Sequence, residues 1–196
     1  MIKGFAALLA MAGLAMAANA AWADSGSVSI LGSNAVKICS DQARTVSEGD
    51  RGARQEALTA CDEAVKHVAL SDTELAASYV NRGVIHLAIG NAAAAVADDN
   101  AALQIQPNLT DALINRGAAF AAQKRFADAI GDFDRALALS PSHPERIYFN
   151  RGMAHEDLGE LKSAYLDYLK ASQLAPGWAQ PKAELARFTV AKPGQS

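Results

Sequence analysis

The side chains that most often perform acid–base, nucleophilic or metal chemistry are few in this sequence. It contains four histidines and only two cysteines, Cys39 and Cys61. His155 is followed by Glu156 and Asp157, but no second histidine stands at the spacing of a zinc-protease helix. The chain has no C-x-x-C pair, no G-x-S-x-G nucleophile elbow and neither of the common glycine-rich phosphate loops. The sequence therefore predicts a protein without a catalytic, metal-binding or cofactor-binding site, and an enzyme is kept as an alternative.

The two cysteines are placed to form a disulfide bond. Each lies 11 residues from Asp50, which is in a short stretch of small and charged residues. The flanking segments 34–46 and 53–68 are periodic in their apolar residues and predict two antiparallel helices joined near Asp50. Cys39 and Cys61 would then lie at the same level of the two helices. In an exported chain this arrangement favours a disulfide bond, and two packed free thiols are the alternative.

A tripeptide of polar and small residues returns at regular intervals. Asn-Arg-Gly stands at 81–83, 115–117 and 150–152, so that its glycines are 34 and 35 residues apart. Other residues recur in step, and the sets are Ala95, Ala129 and Ala164; Ala102, Ala136 and Ala171; and Pro107, Pro141 and Pro176. A period of this length is typical of stacked structural repeats. Each period holds two short segments with helical periodicity, such as 111–123 and 126–139, which must pair to be stable.

The recurring residues occupy fixed registers. With each glycine at position 8 of a 34-residue unit, the alanines fall at positions 20 and 27 and the prolines at position 32. This pattern resembles the tetratricopeptide repeat over residues 76–178. The resemblance implies an all-α solenoid of stacked antiparallel helical hairpins, with nine helices in total. Its expected parts are a degenerate hairpin over 34–75, clear units over 76–109, 110–144 and 145–178, and a capping helix within 179–191 that extends from Pro181 to Val190.

The resemblance also implies a binding groove, because the first helix of every unit lines the inner face of such a solenoid. Position 6 of these helices is always asparagine, at Asn81, Asn115 and Asn150. Positions 5 and 9 are apolar, and the predicted lining there is Val80, Ile114, Phe149, Val84 and Met153. These residues predict binding of an extended protein or peptide segment with apolar side chains. A free C-terminal carboxylate is not the expected ligand, since the clamp for it needs cationic and polar residues at positions 5 and 9. The alternative is that the asparagines cap or bridge neighbouring helices.

Charged residues recur at two further positions of each unit. Position 7 of each first helix is arginine, and position 23, on the second helix, is aspartate. The predicted pairs are Arg82 with Asp98, Arg116 with Asp132, and Arg151 with Asp167. Because partly buried charge is tolerated chiefly when it is paired, we expect one structural ion pair within each unit. Asp99 departs from the family pattern, since position 24 is usually aromatic and is so at Phe133 and Tyr168.

The N-terminal residues predict export. Residues 1–23 combine Lys3, an uncharged apolar run and two A-x-A cleavage patterns, which is typical of a secretory signal peptide. Cleavage is expected after Ala23, or alternatively after Ala20, and an uncleaved anchor is a further alternative. Residues 24–33 would then form a flexible mature N-terminus and 192–196 a tail. The mature chain would be periplasmic or secreted, without membrane insertion.

Composition and charge restrict the class of function. Alanine accounts for 44 of the 196 residues, and the net charge is −3. This composition favours helix and argues against a general nucleic-acid binder, which would show a basic surface. We therefore expect a non-catalytic protein-interaction module or adaptor of the cell envelope that needs no cofactor. The alternatives are a self-assembling scaffold, in which a second copy is the partner, and an accessory factor or enzyme for envelope polysaccharide.

Overall fold

The computed structural model describes residues 2–4, 34–45, 51–67 and 70–190 of the chain. Within these ranges the backbone forms nine helices and two short strands. The helices are α1 Asn34–Thr45, α2 Arg51–His67, α3 Asp72–Ala88, α4 Ala92–Ile105, α5 Thr110–Ala122, α6 Phe126–Ala138, α7 Pro144–Asp157, α8 Leu161–Leu174 and α9 Ala179–Leu185. The strands are β1 Ile2–Gly4 and β2 Phe188–Val190. Each helix packs against the next along the series, which confirms the predicted solenoid of helical hairpins.

Local sequence signals fix where the repeat helices begin and end. Ser71 caps α3 through its hydroxyl, which accepts from the backbone N–H of Glu74, while the Glu74 carboxylate accepts from the Ser71 backbone N–H. At position 15, each first helix is followed by a left-handed residue: Gly90 with φ 83°, Lys124 with φ 61° and Gly159 with φ 78°. Glycine adopts this conformation without steric cost, whereas lysine does not. The second unit therefore forms the same turn as the other two units, but with a residue, Lys124, that is strained in the left-handed conformation.

Within each hairpin, the second helix packs directly on the glycine at position 8 of the first. A methyl carbon added at Gly117 would lie 2.7 Å from the Phe133 ring, and one added at Gly152 would lie 2.9 Å from the Tyr168 ring. The alanines at positions 20 and 27 are fully buried in all three units, at Ala95, Ala102, Ala129, Ala136, Ala164 and Ala171. Small residues in these registers thus permit the close approach of the two helices.

The helices α1 and α2 form the predicted extra hairpin at the N-terminal end. Cys39 and Cys61 are joined by a disulfide bond, as expected from their spacing. The bond belongs to an apolar cluster that includes Val36 of α1, and Ile85 of α3 packs into the same cluster. Both helices of this hairpin also contact α3, so the first clear repeat continues the stack directly. The turn predicted near Asp50 lies outside the described residues.

The C-terminal end differs from the predicted capping helix. The helix α9 ends at Leu185, and Phe188–Val190 is an extended strand. The Phe188 ring packs edge-on against Tyr168, with 6.0 Å between ring centroids, and β2 pairs antiparallel with β1. The prediction of a helix as far as residue 190 was therefore wrong beyond Leu185. An aromatic residue followed by two β-branched ones favours the extended conformation when a partner strand is available.

That partner strand belongs to the segment predicted to be a signal peptide. The remainder of this segment and the predicted flexible N-terminus lie outside the described residues, as does the tail over 192–196. Cleavage after Ala23 would remove β1, so the pairing of β1 with β2 is a property of the uncleaved chain.

Candidate functional site

Bidentate ion pairs join the two helices of every clear repeat. In each pair, the arginine Nε and one Nη donate to the two carboxylate oxygens of the aspartate, over distances of 2.6–2.9 Å. The pairs are Arg82–Asp98, Arg116–Asp132 and Arg151–Asp167, as the registers predict. The aspartate side chains are only 6–8% exposed, so the pairs are largely shielded from water. They act as struts between position 7 of the first helix and position 23 of the second.

Each arginine also reaches the preceding repeat, a contact that we had not predicted. The remaining Nη group donates to the side chain at position 25 of the unit before, and the contacts are Arg82 to Asp62, Arg116 to Asn100 and Arg151 to Asp134. The signal was in the sequence, since an oxygen-bearing side chain holds position 25 in the degenerate hairpin and in the first two clear units. We call the three arginines and their six partners the arginine ladder. The ladder connects all four hairpins.

Aromatic rings and histidines pack beside the ladder. The arginine of the first unit lies 5.6 Å from the centroid of Tyr79, and that of the third lies 5.3 Å from Tyr148. The second unit has no aromatic residue at position 4, and Phe120 at position 11 lies 5.7 Å from the arginine instead. Position 11 of the other units holds His86 and His155, each 3.8 Å from the aspartate of its own unit. Burial lowers the pKa of His86, which favours the neutral imidazole.

The three asparagines at position 6 lie on α3, α5 and α7, and the first helices of neighbouring units are in contact. Asn81 is 1% exposed, and Asn115 and Asn150 are 3% exposed each. This burial differs from the predicted lining of an open groove, because side chains so little exposed are covered by other residues of the chain. Among the described residues, nothing bonds to Nδ2 of Asn81 or to Oδ1 of Asn150. One amide therefore has an unpaired donor and another an unpaired acceptor.

Apolar residues at positions 5 and 9 surround the asparagines. Val80 and Phe149 are buried, at 4% and 6% exposure, whereas Val84, Ile114 and Met153 are half-buried. We define the inner face as positions 2, 5, 6 and 9 of α3, α5 and α7. The partly accessible apolar residues of this face are Val84, Ile114 and Met153, one from each unit.

Aromatic residues close the C-terminal end of the inner face. The Phe149 ring packs on Tyr168 of α8 and on Trp178, which precedes α9, with centroid distances of 5.6 and 4.8 Å. Phe149 was predicted to line an open groove, and Trp178 had not been associated with it. The tryptophan is the last residue of the third clear unit, directly before the register where a further unit would begin.

A buried carboxyl interrupts the core of the first clear hairpin. Asp99 is 0% exposed, and neither of its oxygens has a hydrogen-bond partner in the part of the chain that the structure describes. It holds position 24, where Phe133 and Tyr168 fill the other two hairpins, and it lies against the backbone of Gly83. Burial, reinforced by the nearby charge of Asp98, raises the pKa of Asp99 well above its usual value of 3.8. The folded protein therefore favours the neutral acid at this position.

The described ranges hold neither a candidate metal-binding cluster nor a helix that could span a membrane. They contain no group of three or more His, Cys, Asp or Glu that could hold a metal ion. They also contain no helix that is both long enough and apolar enough to cross a membrane. The polar side chains of the arginine ladder do converge, and they bond to one another.

Comparison with known families identifies the repeats. Family models described as Tetratricopeptide repeat match residues 76–109, 110–143 and 145–177, which together make up just over half of the chain. The chain therefore belongs to the tetratricopeptide repeat family. No curated protein matches it.

Solved structures share the architecture. MamA 41-end from Desulfovibrio magneticus RS-1 is 22% identical with a TM-score of 0.63, and the alignment covers 80% of this chain and 84% of that one. The first TPR domain of the human RPAP3 protein is 26% identical with a TM-score of 0.54, over 57% of this chain and 87% of that domain. The first TPR of Spaghetti (RPAP3), solved with the HSP90 peptide SRMEEVD, is 26% identical with a TM-score of 0.56, over 60% and 94% of the two chains.

Proposed function

We propose that this protein is a non-catalytic interaction module of the cell envelope that binds an extended protein segment along the inner face. The observation that carries the proposal is the pair of unpaired amide groups on this face, Nδ2 of Asn81 and Oδ1 of Asn150. A buried polar atom without a partner costs about 1–3 kcal/mol. An extended backbone offers carbonyl groups and N–H groups in alternation, so a bound segment can satisfy both amides after a small separation of the first helices.

The side chains beside the amides suit an apolar segment. Val84, Ile114 and Met153 are half-buried and lie one per unit along the inner face. Methionine has an unbranched, flexible side chain that adapts to different partners. The amides would thus hold the backbone of the segment, and the apolar residues would receive its side chains.

The family relationship supports a peptide ligand, and the residues of this chain restrict its type. The Spaghetti (RPAP3) domain was solved with the HSP90 peptide SRMEEVD, whose last residue is aspartate. Here positions 5 and 9 of the three clear units are all apolar, for example Val80 and Val84 in the first. No cation is therefore available at these positions to receive a terminal carboxylate, and we propose an internal segment of the partner as the ligand.

The envelope location rests on the N-terminal residues and on the disulfide bond. A bond between Cys39 and Cys61 is typical of an oxidising compartment. N-terminal sequencing of the protein from cells should begin at Asp24, or else at Ala21. A chain that retains Met1 would contradict cleavage of the signal peptide.

The binding proposal is tested with the double variant Asn81→Ala/Asn150→Ala. Its thermal melt should remain close to wild type, because Nδ2 of Asn81 and Oδ1 of Asn150 have no partners in the described structure. The affinity for the partner captured from a cell-envelope extract should fall about thirtyfold, since two backbone hydrogen bonds of about 1 kcal/mol each would be lost. The control is Asn108→Ala, because Asn108 is exposed in the turn before α5 and its replacement should change neither property.

A second variant separates binding from folding. Arg116→Ala leaves Asp132 without its bidentate partner, so it should melt early and lose binding only as it unfolds. If the double asparagine variant melts early and Arg116→Ala does not, the asparagines are structural and the proposed binding face is wrong.

Self-association is a second candidate function because of exposed leucines near the C-terminal end. Leu158, Leu166 and Leu174 are 44%, 52% and 43% exposed, and two of them lie on α8. Such residues could contact a second copy of the chain. Light scattering of the mature protein should give a dimer under this candidate and a monomer under the first proposal. Leu166→Glu would return a dimer to the monomer if α8 forms the contact.

A further inference from the structure

We propose that the segment bound on the inner face carries a lysine or arginine, and that Asp111 receives this cation. The proposal rests on the proposed function and specifies the chemistry of the partner. It begins from the position of Asp111, which lies at position 2 of α5, four residues before Asn115. Residues four apart lie on the same side of a helix, so the carboxylate and the amide share the inner face.

The carboxylate of Asp111 is partly removed from water and has no hydrogen-bond donor in the described structure. It is half-buried, and no side chain or backbone group of the described residues donates to it. Burial alone raises its pKa, and no charged neighbour counteracts that effect. A cation brought by a ligand would both pair with the carboxylate and form a charge-assisted hydrogen bond, which is stronger than a neutral one.

The usual role of an acidic residue at a helix start does not explain this burial. Aspartate in the first turn interacts favourably with the helix dipole, and Asp72 and Asp128 hold such places in α3 and α6. Both of these are exposed, and Asp128 pairs with Arg125 at 2.7 Å. Asp111 gains the same interaction with the dipole but lies against the inner face, where exposure to water is partly lost.

On the side of α3, the inner face beside Asp111 is neutral and partly unsatisfied, whereas Arg146 of α7 holds the same register on the other side. On the adjacent first helix α3, the same four registers hold Ala77, Val80, Asn81 and Val84, none of which is charged. The unpaired Nδ2 of Asn81 lies on this helix. Asn81 would hold the backbone of the segment while the cationic side chain reaches Asp111 on the next helix.

The third unit offers no equivalent carboxylate to bind the cation of the segment. Its position 2 is Arg146, which is already engaged with other groups of the chain. Further along α7, Glu156 accepts from Arg187 and from the Tyr168 hydroxyl. The charge pattern therefore favours a cation at the second unit and disfavours one at the third.

The experiment compares three pools of synthetic peptides that differ only in one charge. Each pool consists of acetylated, amidated octapeptides with flanking positions drawn from Ala, Val, Leu and Ser, and with Lys, Gln or Glu at a central position. Fluorescence anisotropy of the labelled pools with the full chain measures the affinities. The Lys pool should bind at least tenfold more tightly than the Glu pool, a difference of about 1.4 kcal/mol.

Three variants test whether the preference for the Lys pool depends on the carboxylate of Asp111. Asp111→Asn should weaken binding of the Lys pool about tenfold, and Asp111→Lys should reverse the preference in favour of the Glu pool. Asp128→Asn removes the same charge from the exposed start of α6 and should leave all three affinities unchanged. Thermal melts of the variants should agree within a few degrees, so that binding is compared between folded proteins.

The outcomes separate this inference from the proposed function. Equal binding of all three pools would overturn the role of Asp111 and leave peptide binding by the inner face intact. A preference for Lys that survives Asp111→Asn would also overturn it. Binding of none of the pools would count against both proposals, whereas reversal of the preference by Asp111→Lys supports both.

Discussion

The buried carboxyl of Asp99 makes a specific prediction about stability and pH. Asp99→Asn keeps the size and shape of the side chain and replaces an ionisable carboxyl with an amide that stays neutral at all pH values. At low pH the two proteins should have similar stability, because Asp99 is then neutral in the folded and in the unfolded chain. As the pH rises, we expect the variant to become the more stable of the two.

The size of this effect follows from proton linkage. In the unfolded chain Asp99 loses its proton near its usual pKa of 3.8, whereas burial holds the pKa well above this value in the folded protein. Between these two pKa values the folded protein retains a proton that the unfolded chain has released, so a rise in pH favours unfolding. The free energy of unfolding should then fall by up to about 1.4 kcal/mol per pH unit relative to Asp99→Asn.

The charges around Asp99 support this direction. Asp98 precedes it on α4 and Asp132 lies on α6, and both disfavour its ionisation. Arg116 of α5 acts in the opposite sense, but each terminal nitrogen of its guanidinium is already bonded to another side chain, Asp132 or Asn100. Desolvation is the largest cause and determines the sign.

Urea unfolding of both proteins, followed by circular dichroism from pH 4 to pH 8, measures the effect. The difference in unfolding free energy between Asp99→Asn and wild type should increase with pH and then level off above the pKa of the folded protein. A difference for Asp99→Asn that is constant with pH would refute the argument that this carboxyl is held neutral.

Three further changes test the stabilising contacts of the fold by thermal or urea unfolding. Lys124→Gly should raise the free energy of unfolding by about 1 kcal/mol, because it replaces a lysine held in the left-handed conformation. Gly159→Ala at the equivalent turn should lower it by a similar amount. A change of the same sign in both variants would contradict the argument. Cys61→Ser should lower the melting temperature by several degrees, since the bond closes a loop with a sequence separation of 22 and is worth about 3 kcal/mol on the chain-entropy model; an unchanged melt would exclude this contribution. Arg116→Ala should cost about 3 kcal/mol because it leaves Asp132 buried without its partner, and a loss below about 1 kcal/mol would mean that water replaces the arginine.

The fold was largely predictable because its determinants are local and periodic. The registers of glycine, alanine and proline define the hairpins, and the predicted helix over 126–139 differs from α6 by one residue. Prediction failed at the C-terminal end, where no repeat register applies. Whether Phe188–Val190 is helical or extended depends on contacts with a strand at the opposite end of the chain, and periodicity carries no information about such contacts.

The candidate site was predictable in its residues and less so in its exposure. Position 6 places Asn81 and Asn150 on the first helices, but how deeply they are buried depends on the distance between those helices. Register likewise predicted the bond from Arg82 to Asp98 within one unit, and the second bond from Arg82 to Asp62 required knowledge of how units stack. Contacts between neighbouring units depend on how far one unit is shifted and rotated relative to the next. The periodic pattern within the sequence does not specify this arrangement.

Site-specific crosslinking in cells tests the central claim most directly. A photoreactive benzoylphenylalanine replaces Ile114 on the inner face in one variant and Gly131 on the exposed side of α6 in another, where an added side chain meets no neighbour within 4 Å. Illumination should crosslink the variant with the photoreactive residue at position 114 to another protein. The variant with this residue at position 131 should give no such crosslink. Adducts from position 131 alone, or adducts from position 114 that contain only a second copy of this chain, would contradict binding of an extended partner segment along the inner face.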